Sequence, residues 1–255
     1  MIRREDRDDV VVLTIDHGKA NAIDTDLFDG LNDHLDALET SDARAVVLTG
    51  KGSAFSAGVD LFKVLDGGAD YLETFLPALS NGVRRLFSLP KPVVAAVNGH
   101  AVAGGCILAA ACDYRVMAEG RGKIGVTELL VGVPFPVVAM EVLRFHLPSA
   151  RAQRLIYDGR LSGPEEAREV GWVDEVVEAD AVLERAVAVA SKWAGIPDVA
   201  FAVTKRQLRQ ETLSRIEQYG DLDDEIAKIW REPETLAGIR AFMEATVGKT
   251  VGKKG

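Results

Sequence analysis

Three short runs in this chain are apolar on both faces of an extended strand. They are Val10-Val11-Val12-Leu13-Thr14-Ile15, Ala45-Val46-Val47-Leu48 and Val93-Val94-Ala95-Ala96-Val97. A sheet with one wet face alternates polar and apolar residues, and these runs do not. They predict strands covered on both sides, as parallel sheets are. Tyr114 to Met117 predicts a fourth strand. Between the first two, Leu27, Leu31, Leu35 and Leu38 recur at helical spacing over Asp26–Glu39, with Asp24 or Thr25 placed to cap. Asp16-His17-Gly18 and Thr49-Gly50 close strands, and Pro90 and Pro92 introduce the third run at its edge. Strand alternating with helix implies crossover units and an α/β fold.

The chain has 255 residues, 47% of them apolar, so it can bury a large core. Its net charge of −9 disfavours a general nucleic-acid binder. Cys106 and Cys112 form no CxxC pair and predict buried free thiols in a reducing cytoplasm. The N-terminus MIRREDRDDV is too charged for a secretory signal, and no apolar run approaches the ~20 residues of a membrane span. Beyond about residue 135 the pattern is helical, apart from an apolar piece at Val173 to Val177. After Gly195-Ile196-Pro197 come helices expected near 198–211, 214–231 and 233–246, then a frayed tail over 248–255. The expected organisation is a core over 1–195 and a helical region over 196–255.

The segment AVAGGCILAAACD, residues 101–113, holds no charge before Asp113 yet contains Gly104-Gly105. Its length and alanine content predict a buried helix. A glycine weakens a helix by about 1 kcal/mol relative to alanine, so the pair needs a reason. The segment follows an apolar strand and a turn, as AFSAGVDL (54–61) does. Free N–H groups at a helix start attract negative charge, and two such groups from separate turns can converge on one oxyanion. Tight helix–sheet packing is the other reason for glycines at these places.

Glu128 lies in IGVTELLVGVPFP (124–136), which is otherwise uncharged. Burial there would raise its pKa into the range of a general base near neutral pH, whereas an exposed helix-start position would not. His17, His34, His100 and His146 show no paired ligand spacing, so no metal is expected. Neither a GxSxG elbow nor a complete nucleotide-binding glycine motif is present.

Taken in order, KANAID (19–24), VVLTGKGSAFSAGVDL (46–61), KPVVAAVNGHAVAGGC (91–106), CDYR (112–115) and IGVTELLVGV (124–133) resemble the enoyl-CoA hydratase/isomerase, or crotonase, family over nearly the whole chain. The resemblance implies a ββα spiral core with a C-terminal helical trimerisation region that completes the acyl-CoA site. It implies an acyl-CoA thioester as substrate, no cofactor beyond the coenzyme A the substrate carries, and a homotrimer or dimer of trimers in the cytoplasm. Carried over by motif, the oxyanion donors are the N–H groups of Val59 and Gly104. Lys19, Ala20, Ala22, Ala57, Gly58, Asp60, Leu61, Gly105, Ile107 and Phe135 are the expected substrate-binding residues.

Hydratases of this family carry a glutamate where this chain has Ile107, and a second where it has Glu128. Two carboxylates activate water, and isoleucine cannot. One carboxylate is enough to move a double bond from the 3 to the 2 position, and the family's Δ3,Δ2-enoyl-CoA isomerases show that single-glutamate pattern. They also resemble this chain in AGGC, in CDYR and in the Pro134-Phe135 pair. The expected reaction is therefore isomerisation, with Glu128 as proton shuttle and Ile107 and Phe135 lining a dry acyl pocket. Hydration or another acyl-CoA reaction would need a second acid, with Asp66, Asp70 and Glu73, in a segment after Leu65 expected to be mobile, as candidates. A non-catalytic acyl-CoA-binding module is the alternative of another class. Lys19, Lys63 and the group Lys205, Arg206 and Arg209 are the candidate phosphate cations, with surface charge as the other reading.

Overall fold

The computed structural model describes residues 1–251. In chain order its elements are β1 (Ile2–Arg7), β2 (Val10–Ile15), a 3-10 turn (Lys19–Asn21), α1 (Thr25–Glu39), β3 (Ala45–Gly50), β4 (Ala54–Ser56), α2 (Leu61–Ser88), β5 (Val93–Val97), β6 (His100–Val102), α3 (Gly104–Ala111), β7 (Tyr114–Ala118), β8 (Ile124–Gly125), α4 (Glu128–Val131), α5 (Val137–His146), α6 (Ser149–Asp158), α7 (Pro164–Val170), β9 (Glu175–Val177), α8 (Val182–Ala194), α9 (Asp198–Gln218), α10 (Asp221–Arg231) and α11 (Pro233–Val251).

A six-stranded sheet runs β1-β2-β3-β5-β7-β9. The β1–β2 pair is antiparallel and the other pairs are parallel. A three-stranded parallel sheet runs β4-β6-β8. Three successive ββα turns each send their first strand to the large sheet and their second to the small one. Both faces of the large sheet are covered. Val11, Leu13, Val46, Leu48, Ala95 and Val97 join the core formed with α1, α2 and α3. Val10, Val12, Val47, Val94 and Ala96 pack on Ala186, Val189 and Ala190 of α8. That two-sided burial is why the strands carry no alternation.

The structure departs from the sequence expectation in four places. Residues 101–113 are not one helix: His100–Val102 form β6, and only Gly104–Ala111 are helical. The expected mobile segment after Leu65 is part of α2, which is kinked at Gly68 (φ 55°, ψ −141°). The break expected between 211 and 214 lies at Tyr219-Gly220, because Glu211-Thr212-Leu213 contains no helix breaker. Of the tail 248–255, residues 252–255 lie outside the described residues, and the α11 backbone runs on to Val251.

Two cations of the expected phosphate group are structural. Lys205 and Arg209 are buried and pair with Asp113 at 2.7 Å each. Arg209 also donates to the carbonyls of Phe87 and Ala111 and lies over the Phe87 ring at 4.0 Å. Cys106 and Cys112 are buried free thiols. Among the described residues no single helix is long and apolar enough to cross a membrane.

Candidate active site

The strands of the small sheet are parallel, so the turns that follow them leave at one end. In an open sheet of parallel strands, that carboxyl end is where ligands bind. The β4 turn carries Ala57, Gly58, Val59 and Asp60, the β6 turn carries Ala103 and Gly104, and the β8 turn carries Glu128.

Gly58 (φ 87°) brings the first two turns together. A Cβ on it would lie 2.6 Å from the Val102 carbonyl oxygen and 2.9 Å from the Ala103 Cβ. A Cβ on Gly104 would lie 3.0 Å from Ile23 Cδ1 and 3.7 Å from Val59 Cγ2. The Val59 and Gly104 turns are therefore direct neighbours. Neither N–H donates to another group among the described residues. The Ala103 carbonyl accepts from Ile107 N–H at 3.1 Å, along the helix. In a trans peptide the N–H opposes the C=O, so the Gly104 N–H points out of the helix start.

The two glycines of α3 serve different ends. A Cβ on Gly105 would overlap the Ser56 carbonyl oxygen, which is backbone, whereas one on Gly104 would meet only the tip of Ile23. Gly105→Ala is expected to cost about 1–3 kcal/mol, since overpacking against backbone cannot relax cheaply. Gly104→Ala should cost less. Urea midpoints of the two variants measure the difference, and equal costs would remove the packing role of Gly105.

Glu128 is 8% exposed, and its Oε2 has no hydrogen-bond partner. Burial pushes its pKa up to about 7, opposed in part by the N–H groups of Glu128 and Thr127. Burial and then the Glu128 charge push the Cys106 thiol up, which sets the carboxylate near the first turn of α3. Val133 N–H and Gly132 N–H both donate to the Glu128 carbonyl at 3.0 Å, closing the short α4 beneath the side chain.

The other expected residues distribute as follows. Ile107 is 3% exposed, one turn into α3. Leu61 is half-buried against the core. Asp60 caps α2, its Oδ1 accepting from Phe62 N–H at 3.0 Å and Lys63 N–H at 3.2 Å. Lys19, Ala20 and Ala57 are exposed and Ala22 is half-buried. Phe135 is buried, but it lines a cavity of roughly 360 Å³ with Met140, Leu222 and Ile226, and neither Ile107 nor Glu128 shares that lining. Lys63 is bound to Asp24 at 2.7 Å and to Asp26 at 3.2 Å. Asp66 and Asp70 are exposed on α2, and Glu73, also exposed, pairs with Arg231 at 3.1 Å. Two buried polar residues at this end of the sheet, Asn21 and Ser56, were not among the sequence candidates. Both stand inside quoted motifs, and an asparagine between two alanines in a turn was the available signal.

A family model described as enoyl-CoA hydratase/isomerase matches residues 5–248. Mouse mitochondrial enoyl-CoA delta isomerase 1 is 32% identical over 217 residues, which are 84% of this chain and 75% of that protein. A putative enoyl-CoA hydratase of Thermus thermophilus is 36% identical over 255 residues, covering 96% of this chain and 98% of the relative. The solved human mitochondrial Δ3-Δ2-enoyl-CoA isomerase superposes with a TM-score of 0.91 at 28% identity, covering 100% of this chain and 99% of its own.

Proposed function

The chain belongs to the enoyl-CoA hydratase/isomerase family and has the crotonase fold, and from that premise we propose that it converts 3-enoyl-CoA to 2-enoyl-CoA. The observation that carries this reading is a buried carboxylate, Glu128, with an unpartnered oxygen and a pKa pushed up to about 7 by burial, in a chain whose α3 carries Ile107 where a second acid would be needed for hydration.

In the proposed reaction the thioester oxygen accepts hydrogen bonds from the N–H groups of Val59 and Gly104. These donors stabilise negative charge as it develops. The Glu128 carboxylate takes a proton from C2. The C2–H electron pair enters the thioester system as a dienolate, and Glu128 returns the proton to C4. Nothing is gained or lost overall, and no cofactor is needed. A pKa near 7 suits a group that must accept and then release the same proton. Ile107 keeps water from the dienolate's neighbourhood, which disfavours hydration. Residues 196–255 are proposed to supply subunit contacts in a trimer or dimer of trimers, with Val199, Leu208 and Leu222 exposed on that region. The same reading puts the protein in the cytoplasm.

Hydration is the second reading, favoured by relatives whose names give that reaction. The deciding experiment offers 3-enoyl-CoA and 2-enoyl-CoA separately and identifies products by mass and chromatography. Conversion of the 3-enoyl to the 2-enoyl compound without gain of water is expected. Water gained by the 2-enoyl compound would replace this reading with hydration.

Ile107→Glu tests the second half of the argument. It should slow isomerisation about tenfold or more, because a second buried carboxylate raises the pKa of both. It should also let 2-enoyl-CoA gain one water. Unchanged isomerisation without hydration would remove Ile107 from the acyl pocket.

A further inference from the structure

We propose that Asn21 and Ser56 are positioning residues that leave the Val59 N–H free and aim it at the thioester oxygen. The proposal rests on Val59 being an oxyanion donor, as argued above, and adds the side chains that set its direction.

The turn after β4 has four successive N–H groups, and three are engaged. Ala57 N–H donates to the Ala20 carbonyl at 3.0 Å, and Asp60 N–H donates to the Ile23 carbonyl at 2.8 Å. Gly58 N–H donates to Ser56 Oγ at 3.2 Å. Val59 alone is left. Its direction is also fixed, because Ile23 N–H donates to the Gly58 carbonyl at 2.8 Å. The Gly58–Val59 peptide is planar and trans, so its N–H points away from the 20–23 segment.

Everything in this arrangement leads back to Asn21. Ser56 Oγ, which receives the Gly58 N–H, donates its own proton to the Asn21 carbonyl at 2.8 Å. Asn21 Nδ2 donates to the carbonyls of Ala54 at 2.8 Å and Lys51 at 3.1 Å, and its Oδ1 accepts from His17 N–H at 3.1 Å. The residue is 3% exposed, and Ser56 is fully buried. Ala20 and Asn21 both have left-handed backbones, with φ of 58° and 56°. Asparagine tolerates that conformation better than most residues, while alanine does not. Strain of this kind persists only where surrounding bonds over-determine it. Here the bonds are those of Asn21 and Ser56, and what they determine is the peptide that bears the Val59 N–H.

The test reads the donor directly. A saturated acyl-CoA carrying ¹³C at its thioester carbonyl is bound to the protein, and isotope-edited infrared spectra give its stretching frequency. Oxyanion donors polarise the carbonyl and lower that frequency. Ser56→Ala is expected to lose most of the shift. Its kcat on 3-enoyl-CoA should fall roughly tenfold to a hundredfold, below the loss for removing a donor outright, with little change in KM. Asn21→Gly keeps the left-handed backbone and the carbonyl but removes the side-chain ties. It should move both readouts in the same direction, and it decides the matter if Ser56→Ala does not fold. A wild-type shift that survives in the folded variants overturns this proposal alone. A wild type with no shift overturns the oxyanion reading and the proposal together, whereas a shift without isomerisation overturns only the assignment of the reaction.

Discussion

Glu128→Gln should lower isomerisation of 3-enoyl-CoA by about a thousandfold or more, and the same variant should be more stable than the wild type above pH 7. The activity loss follows from chemistry. Glutamine has nearly the shape of glutamate but cannot accept the C2 proton, and a positioned base contributes roughly 10²–10⁴-fold. The stability gain follows from linkage. Burial raises the folded-state pKa of Glu128 from 4.5 to about 7. Between those values the folded protein holds a proton that the unfolded chain has lost. Stability contributed by this group is therefore present in full below the unfolded pKa and is lost as pH rises through 7. The loss amounts to about 3 kcal/mol at most. Glutamine cannot ionise, so the variant should lack this pH dependence. Urea unfolding at pH 4 and pH 8 should give nearly equal stabilities for the two proteins at pH 4 and a gap at pH 8. In the wild type kcat/KM should rise with an acid limb near pH 7. Retained activity in Glu128→Gln would end the proton-shuttle reading. Loss of activity with no pH-dependent gain in stability would show that the carboxylate is not desolvated.

How much of this was legible in the sequence depends on the range of the interactions involved. Glu128 was legible because its local surroundings are apolar, and apolar runs are a property of the sequence itself. β2, β3 and β5 were legible for the same reason. β4 and β6 were not, because a three-residue strand has no periodicity to show. Periodicity therefore does not reveal the second sheet, whose strands precede both oxyanion turns and which only the ββα spiral of the resemblance implies. The length of α2 was not legible, because Gly67-Gly68 and Pro77 disfavour a continuous helix and the chain passes them only with a kink at Gly68. Gly105 was legible as a constraint but not in its cause, since the Ser56 carbonyl that excludes a side chain comes from a different turn of the spiral. Asn21 and Ser56 escaped for that reason too. The groups that accept from the Asn21 amide and the Ser56 hydroxyl lie 30 to 35 residues away, and only the fold makes them neighbours.

The buried charges of α9 show the opposite error, in which ordinary surface residues turn out to anchor the core, and they give the largest expected effect on stability. Asp113→Ala should destabilise the protein by about 3–5 kcal/mol. Asp113 accepts from Lys205 and Arg209 at 2.7 Å each, and also from the Val93 N–H at 2.8 Å. It thus ties α9 to the start of β5. The side chains of Lys205 and Arg209 are 5% and 4% exposed. Removing the one carboxylate they share leaves two buried cations unpaired, which costs far more than the intact pair contributes. The pH dependence identifies the mechanism. Burial, opposed by Asp113, lowers the Lys205 pKa from 10.5 to about 8. A lowered pKa means that the unfolded chain binds more protons between those values, so stability rises with pH there and is lost as pH falls through the folded pKa. Without Asp113 the folded pKa drops further, and this window extends toward neutrality. The deficit of Asp113→Ala should accordingly be greatest near pH 7 and shrink toward pH 10. It will not vanish, because Arg209 stays charged. Adding Lys205→Met to Asp113→Ala should recover part of the loss at pH 7 and little at pH 10, since a neutral lysine needs no counter-charge. Chemical unfolding of the wild type, both single variants and the double variant at the two pH values completes the cycle. A deficit that does not change with pH would mean that Asp113 acts through its bond to Val93 rather than through the buried cations.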